Sequence, residues 1–152
     1  MKKNRKYGLI GKNIDYSFSK KFFSEKFEKE NLNCIYSNFD IENISHVKLI
    51  LQDDAINGFN VTIPYKEEIL KFLDEIDEAA KTIGAVNTIK KINNKYIGFN
   101  TDFIGFEKSL LGLIENKMPE NALILGSGGA SKAVKYVPVS YTHLRAHETS
   151  GY

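Results

Sequence analysis

Cysteine is almost absent from this sequence. Cys34 is the single cysteine among 152 residues, so an intrachain disulfide is excluded. It lies in the apolar stretch NCIY, and none of the three histidines has the spacing to it that a metal site or a Cys–His nucleophile needs. We therefore expect Cys34 to be a buried small hydrophobe rather than a catalytic or metal-binding thiol.

An excess of one charge and long apolar runs are also missing. Lys and Arg total 21 against 19 Asp and Glu, a net charge of +2, which gives no reason to expect a nucleic-acid or anionic-membrane partner. No apolar run approaches the ~18 residues of a membrane-spanning helix, and the basic start leads into a short strand rather than a signal sequence. The sequence predicts a cytoplasmic protein.

Strands alternate with helices along most of the chain, which predicts an α/β fold with a mostly parallel sheet flanked by helices. Strands are predicted at 7–10, 34–39, 56–61 and 122–125, and a hairpin at 85–92 and 95–99 turns at Asn93-Asn94. Helices are predicted from a cap at Ser19 to about Asn31, around Val47 to Leu51, from Pro64 to about Ile76, from Asp102 to about Leu113, and from the turn at Gly126 to Val137.

The domain organisation is predicted from a break at Pro119. Residues 1–118 hold enough elements for a complete domain, whereas 119–137 hold one strand–turn–helix unit, and a dinucleotide-binding domain needs several more. Residues 138–152 lack apolar periodicity and show no further strand–helix unit. We expect this tail to be foreign to the fold, as a frameshift, an assembly scar or a truncation would produce.

A glycine-rich loop lies where the predicted strand 122–125 leads into a helix. In LILGSGGASKA, the residues Gly126, Ser127, Gly128, Gly129 and Ala130 would bring backbone amides and a helix N-terminus close to a pyrophosphate. A glycine turn without a ligand is the alternative. Glu148 has the spacing of a ribose-selecting acid, but it falls in the tail with no strand predicted before it.

Three other short motifs carry polar residues beside strand ends or helix starts. GFNVTIPYK places Asn60, Thr62 and Lys66 after a strand, where α/β sheets bind ligands, although an ordinary junction with a surface lysine explains it too. Asp102 in GFNTDFIGF and the pair Ser17-Phe18-Ser19 stand at helix starts, and helix capping is the simple explanation for each.

The order of these motifs resembles the shikimate dehydrogenase family. From residue 7 to about 137 the chain carries YGLIG, Ser-Phe-Ser, NVTIPYK, IGAVNTI, NTDFIGF and GSGGAS in turn. The resemblance implies a substrate-binding domain followed by the start of a Rossmann-like NADP-binding domain. It departs from the family where Pro and a His-Asn pair usually follow the second serine, since Lys20, Phe23 and Ser24 stand there.

The resemblance also implies a role for each motif residue. For the substrate, Ser17 and Ser19 would bind the carboxylate, Asn60 and Thr62 would line the pocket, and Asn87 would contact ring hydroxyls. Lys66 would be the acid–base residue, paired with Asp102. For the cofactor, residues Gly126 to Ala130 would hold the NADP pyrophosphate, and Glu78 would lie on the same side.

The activity implied is NADP-dependent reduction of 3-dehydroshikimate to shikimate, in the chorismate pathway of aromatic amino acid biosynthesis, with this chain a truncated and inactive form. The implied partner is a small-molecule substrate, with a homodimer expected for the full-length parent. Two alternatives stay open. One is a quinate/shikimate dehydrogenase that prefers NAD. The other is a non-catalytic small-molecule-binding domain, in which Lys66 is surface and Asp102 a cap.

Overall fold

The computed structural model describes residues 5–114, 121–140 and 145–149. Strands and helices follow one another along the chain as β1 (Arg5–Gly11), α1 (Ser19–Lys29), β2 (Cys34–Asp40), α2 (Val47–Leu51), β3 (Ile56–Val61), β4 (Glu75–Ile76), α3 (Glu78–Ile83), β5 (Thr88–Ile92), β6 (Lys95–Phe99), α4 (Asp102–Leu113), β7 (Asn121–Leu125), α5 (Gly129–Ser140) and β8 (Arg145–Thr149). Short 3-10 helices occupy Ile44–His46 and Glu68–Phe72.

A six-stranded sheet in the order β2-β1-β3-β5-β6-β4 forms the main body of the fold. β1 is parallel to β2 and β3, β4 is parallel to β6, and β5 runs antiparallel to both of its neighbours. This confirms the predicted α/β architecture with a mostly parallel sheet. The β5–β6 hairpin turns at Asn93 and Asn94, whose φ angles of 48° and 64° suit a tight two-residue turn.

Both faces of this sheet are covered, because neighbouring side chains of a strand point to opposite faces. In β1, Ile10 enters the larger core, which includes Val47 of α2 and Ala80 of α3. Leu9 enters a smaller cluster on the other face, against Phe23 of α1. The helices therefore flank the sheet on two sides, and the strand ends at its edge are left for a binding site.

The prediction of a helix from Pro64 to about Ile76 is wrong. The Ile63–Pro64 peptide bond is cis, only Glu68–Phe72 forms a 3-10 helix, and a short strand follows. Asp74 explains the outcome: its backbone N–H donates to Tyr96 O at 3.0 Å, and its carboxylate accepts from Tyr96 N at 2.7 Å. Pairing with β6 thus satisfies backbone groups that a longer helix would have used.

The chain has a further strand after α5, contrary to the prediction for the tail. α5 continues to Ser140, and β8 pairs in parallel with β7 as a second, two-stranded sheet. Strand pairing needs backbone donors and acceptors rather than apolar periodicity, so a polar segment can serve as the partner of β7. The predicted boundary at Pro119 lies outside the described residues, and the division into 1–118, 119–137 and 138–152 stays a prediction.

Two smaller observations complete the fold. Cys34 is a free thiol that is half-buried, rather than fully buried as predicted. Among the described residues, no helix has the length and apolar character needed to span a membrane.

Candidate active site

Lys66 and Asp102 meet in a direct ion pair. Lys66 Nζ donates to Asp102 Oδ2 at 2.7 Å, and the two side chains are 17% and 34% exposed. The backbone of Lys66 is held in turn, because its carbonyl accepts from Val86 N at 2.7 Å. The two residues expected to pair are therefore in direct contact, at a partly desolvated position that solvent still reaches.

Asp102 is free for this contact because Asn100 caps α4 in its place. Asn100 is 2% exposed, and its Oδ1 accepts from the backbone N–H groups of Asp102 at 3.0 Å and Phe103 at 3.4 Å. Its Nδ2 donates to Ala85 O at 3.0 Å. The alternative interpretation of Asp102 as a helix-capping residue is therefore wrong. Asn100 was missed at the sequence level, although it stands two residues before Asp102 in the NTD motif.

Asn87 joins the other side of the same carboxylate. Its Nδ2 donates to Asp102 Oδ1 at 2.7 Å and to Thr101 Oγ1 at 2.9 Å. Its Oδ1 accepts from Thr101 N at 2.8 Å, which sets the orientation of the carboxamide. Each oxygen of Asp102 thus has its own donor, so the carboxylate is fixed in position beside Lys66.

The hydrogen bonds continue from Asn87 across the sheet. Thr88 Oγ1 donates to Asn87 Oδ1 at 3.1 Å, and Asn60 Nδ2 reaches Thr88 Oγ1 at 3.5 Å. Tyr36 Oη donates to Asn60 Oδ1 at 2.8 Å. We call these residues, from Tyr36 through Asn60, Thr88, Asn87 and Asp102 to Lys66, the polar chain. Thr88 could have been found beside Asn87 in the AVNT motif, whereas Tyr36 stands in a strand with no motif around it.

The two serines lie at the start of α1. Ser19 is the first helical residue, and Ser17 Oγ accepts from Ser19 N at 3.3 Å, so the prediction of Ser19 as the cap is wrong. Asp40 fixes the loop before them, because its carboxylate accepts from Asn13 N and Ile14 N, each at 2.9 Å. The carboxyl end of β2 therefore holds the segment that carries both serines.

Thr62 follows β3 at the same edge of the sheet. Its N–H donates to Ile10 O at 2.9 Å, and its carbonyl accepts from Tyr65 N at 2.9 Å. Both backbone groups of Thr62 are thus engaged, which fixes this residue beside the end of β1.

The glycine loop reaches this site directly. β7 ends at Leu125, the loop passes through Gly126 at φ 132°, and α5 begins at Gly129. A Cβ atom on Gly129 would lie 3.0 Å from Lys66 Cβ. Lys132 Nζ also lies 2.7 Å from Glu67 Oε2. The first turn of α5 therefore packs against the segment that carries Lys66.

The exposed backbone of the loop fits a pyrophosphate. Gly126, Ser127, Gly128 and Ala130 are exposed, and a Cβ atom on Gly128 would meet nothing within 4 Å. The strand–loop–helix order presents the free amides at the N-terminus of a helix of 12 residues. These residues can hold the diphosphate of a dinucleotide beside Lys66.

Glu78, which was predicted to lie on the cofactor side, does not belong to the polar chain. It is the first residue of α3, its side chain is 90% exposed, and its carboxylate lies 3.9 Å from Lys81 on the same helix. This is the arrangement of a solvated helix surface.

An open groove of about 590 Å³ lies beside the polar chain on the α1 face of the sheet. Aromatic residues, among them Phe23 and Phe27, line it, and it reaches Asn60 and Thr88. Neither Lys66 nor Asp102 is among its lining residues, so the groove adjoins the candidate site but does not contain it.

Comparison with known proteins points to one family. A family model described as the shikimate dehydrogenase substrate binding domain matches residues 9–89. A protein of Methanococcus maripaludis named shikimate dehydrogenase (NADP(+)) is 48% identical over 134 residues, covering 87% of this chain and 48% of that protein.

Solved structures agree with this. The crystal structure of shikimate dehydrogenase from Aquifex aeolicus superposes with a TM-score of 0.86 at 39% identity, over 97% of this chain and 56% of that one. Shikimate 5-dehydrogenase from Thermus thermophilus, in complex with shikimate, superposes with a TM-score of 0.83 at 28% identity, over 96% and 57% of the two chains. The chain thus spans about half the length of the relatives it matches.

Proposed function

The chain belongs to the shikimate dehydrogenase family, and we propose that it forms the substrate side of an enzyme that reduces 3-dehydroshikimate to shikimate with NADPH. The observation that supports this most strongly is the 2.7 Å pair of Lys66 and Asp102 within one hydrogen-bonded chain that also includes Asn60 and Asn87.

Lys66 is proposed as the acid–base residue. Reduction of a carbonyl needs a proton delivered to its oxygen, and a lysine ammonium can donate that proton and polarise the carbonyl. Asp102 aligns the ammonium, and Asn87 fixes Asp102 from the other side. In the oxidation direction, Lys66 takes the proton from the substrate hydroxyl.

The remaining polar residues are proposed to bind the ring. Ser17 and Ser19, held by the Asp40-anchored loop, bind the substrate carboxylate through their hydroxyl groups. Asn60, Thr62 and Asn87 hydrogen-bond the ring hydroxyls, each of which can either donate or accept.

NADP is the proposed cofactor, and it supplies the hydride when bound. Gly126, Ser127, Gly128, Gly129 and Ala130 would hold its pyrophosphate, since they form the loop before α5 and its first two residues, and all but Gly129 are exposed. Glu78 is proposed for the cofactor side, where its exposed carboxylate lies 3.9 Å from Lys81 Nζ.

The proposal also covers turnover, location and oligomeric state. The chain spans about half of its relatives' length, and we infer that these 152 residues have no appreciable turnover on their own, since a dinucleotide site needs several strand–helix units. We also propose a cytoplasmic location and a homodimeric full-length parent. Sedimentation of the complete protein would test the homodimer.

The test separates binding from turnover. The 152-residue chain is titrated with shikimate and with quinate by calorimetry. Residues 1–114 then replace the corresponding part of the Aquifex aeolicus relative, and the chimera is assayed for oxidation of shikimate and of quinate with NADP. Shikimate binding by the chain and NADP-dependent turnover by the chimera are expected.

Other outcomes decide between the alternatives. A preference of the chimera for quinate over shikimate would favour the quinate/shikimate dehydrogenase. A folded chimera that binds shikimate without turnover would favour the non-catalytic binding domain. The unaltered Aquifex aeolicus relative, assayed in parallel, gives the turnover against which any loss caused by the exchange is measured.

A further inference from the structure

Tyr36 occupies the far end of the polar chain from Lys66. It lies in β2, two strands away from Asn60 in β3, and its side chain crosses β1 to reach that residue. The Tyr36 ring is 4% exposed and stacks on Phe23 of α1 with centroids 4.6 Å apart. The hydroxyl is thus held at one place, and Asn60 Oδ1 lies 2.8 Å from it.

The hydroxyl acts as a committed donor. Burial raises the pKa of Tyr36 well above its usual value, while a hydrogen bond with Ser19 acts in the opposite direction. The phenol therefore keeps its single proton, which it donates to Asn60 Oδ1 at 2.8 Å.

This arrangement decides which end of the Asn60 carboxamide a ligand meets. A carboxamide has one acceptor oxygen and one amino group with two protons. Tyr36 engages the oxygen, and Thr88 takes at most one proton of the amino group, at the long distance of 3.5 Å. The remaining proton of Asn60 Nδ2 is left for a ligand, so Asn60 offers a donor and not an acceptor.

We propose that Tyr36 is a positioning residue of the substrate site, which orients the Asn60 amide as a hydrogen-bond donor to a ring hydroxyl. This inference rests on the proposed function, because it assigns Asn60 to the ring of a hydroxylated carboxylic acid. Without the Tyr36 hydroxyl, the Asn60 amide is free to rotate between two orientations, only one of which matches the ligand.

Tyr36→Phe is the direct test, since it keeps the ring that stacks on Phe23 and removes only the hydroxyl. Tyr96→Phe is the matched control: Tyr96 is 7% exposed and its hydroxyl donates to Leu51 O at 2.8 Å, a buried bond to the backbone outside the polar chain. Both variants of the full chain are titrated with shikimate, and their unfolding is followed in urea. The side-chain amide signals of Asn60 are followed by NMR without ligand.

Both variants are expected to lose similar stability, since each loses one hydrogen bond of comparable burial. Only Tyr36→Phe should weaken shikimate binding, by about 3- to 10-fold, and shift or broaden the Asn60 amide signals. Unchanged Asn60 signals in Tyr36→Phe would overturn the inference whether or not shikimate binds, as would equal losses of affinity in both variants. If the wild-type chain fails to bind shikimate while the Asn60 signals still respond, the proposed function fails and the orienting role of Tyr36 stands.

Discussion

Gly129, at the start of α5, packs on the aliphatic part of Lys66, so closely that a Cβ atom on residue 129 would lie 3.0 Å from Lys66 Cβ. The same atom would lie 3.2 Å from the Cβ of Ala85, which is fully buried. Neither neighbour can give way by rotating a side chain, because both contacts are made at Cβ. The absence of a side chain at residue 129 thus decides how near the glycine loop comes to the proposed acid–base lysine.

Gly129→Ala is expected to push α5 away from Lys66. Overpacking of this kind typically costs about 1–3 kcal/mol, more than the ~1 kcal/mol that alanine gains over glycine in a helix. Hydrogen exchange of the α5 amides should become faster. Gly128→Ala is the matched control, since its Cβ atom would meet nothing within 4 Å. Equal protection of α5 in the two variants would show that the close approach has no structural consequence.

Lys66→Ala should separate turnover from binding. In the chimera described above, we expect turnover to fall by about 10²- to 10⁴-fold, as is typical for loss of a general acid–base group. Shikimate affinity should change much less, because ring and carboxylate contacts come from other residues. Lys95→Ala is the control, since Lys95 also pairs with a carboxylate at 2.7 Å, that of Glu75, but away from the polar chain. Near wild-type turnover in Lys66→Ala would remove Lys66 from the mechanism.

Alkaline pH should destabilise the protein through its buried tyrosines. Burial raises the pKa of Tyr36, Tyr65 and Tyr96 above the ordinary value of 10.0. Above that value the unfolded chain loses these protons while the folded chain keeps them, so rising pH favours unfolding. Their contribution to stability is complete below about pH 10 and is lost as the pH rises further.

Tyr36→Phe removes one of these groups, so the free energy of unfolding should fall less steeply with rising pH in the variant. Urea unfolding between about pH 8 and about pH 11 would measure this free energy for wild type and variant. Lys91 and Lys95, whose pKa values are raised by hydrogen bonds to Asp54 and Glu75, act in the same direction in both proteins and cancel from the difference. Parallel pH profiles would contradict the assignment of part of the decline to Tyr36.

Local chemistry made several elements predictable. The Asn93-Asn94 turn was found because asparagine tolerates positive φ, and α4 was found because apolar residues recur at helical spacing. The helix predicted after Pro64 was wrong because the spacing of Ile69, Phe72 and Leu73 also suits a helix. No local sequence pattern indicates that Asp74 pairs with Tyr96. The strand β8 was missed for a related reason, since its partner is the backbone of β7 and not an apolar pattern of its own.

For the candidate site, the sequence by itself determined which residue types stand in which motif, and its resemblance to a family pointed to Lys66 and Asp102 together. Only the tertiary structure decided how they are used. Asn100 takes over the cap of α4 and leaves Asp102 for Lys66, and Tyr36 reaches Asn60 across an intervening strand. Spacing along a chain describes neighbours within a turn of helix or a strand, whereas hydrogen bonds between residues 24 and 36 positions apart exist only once the sheet has brought their strands together.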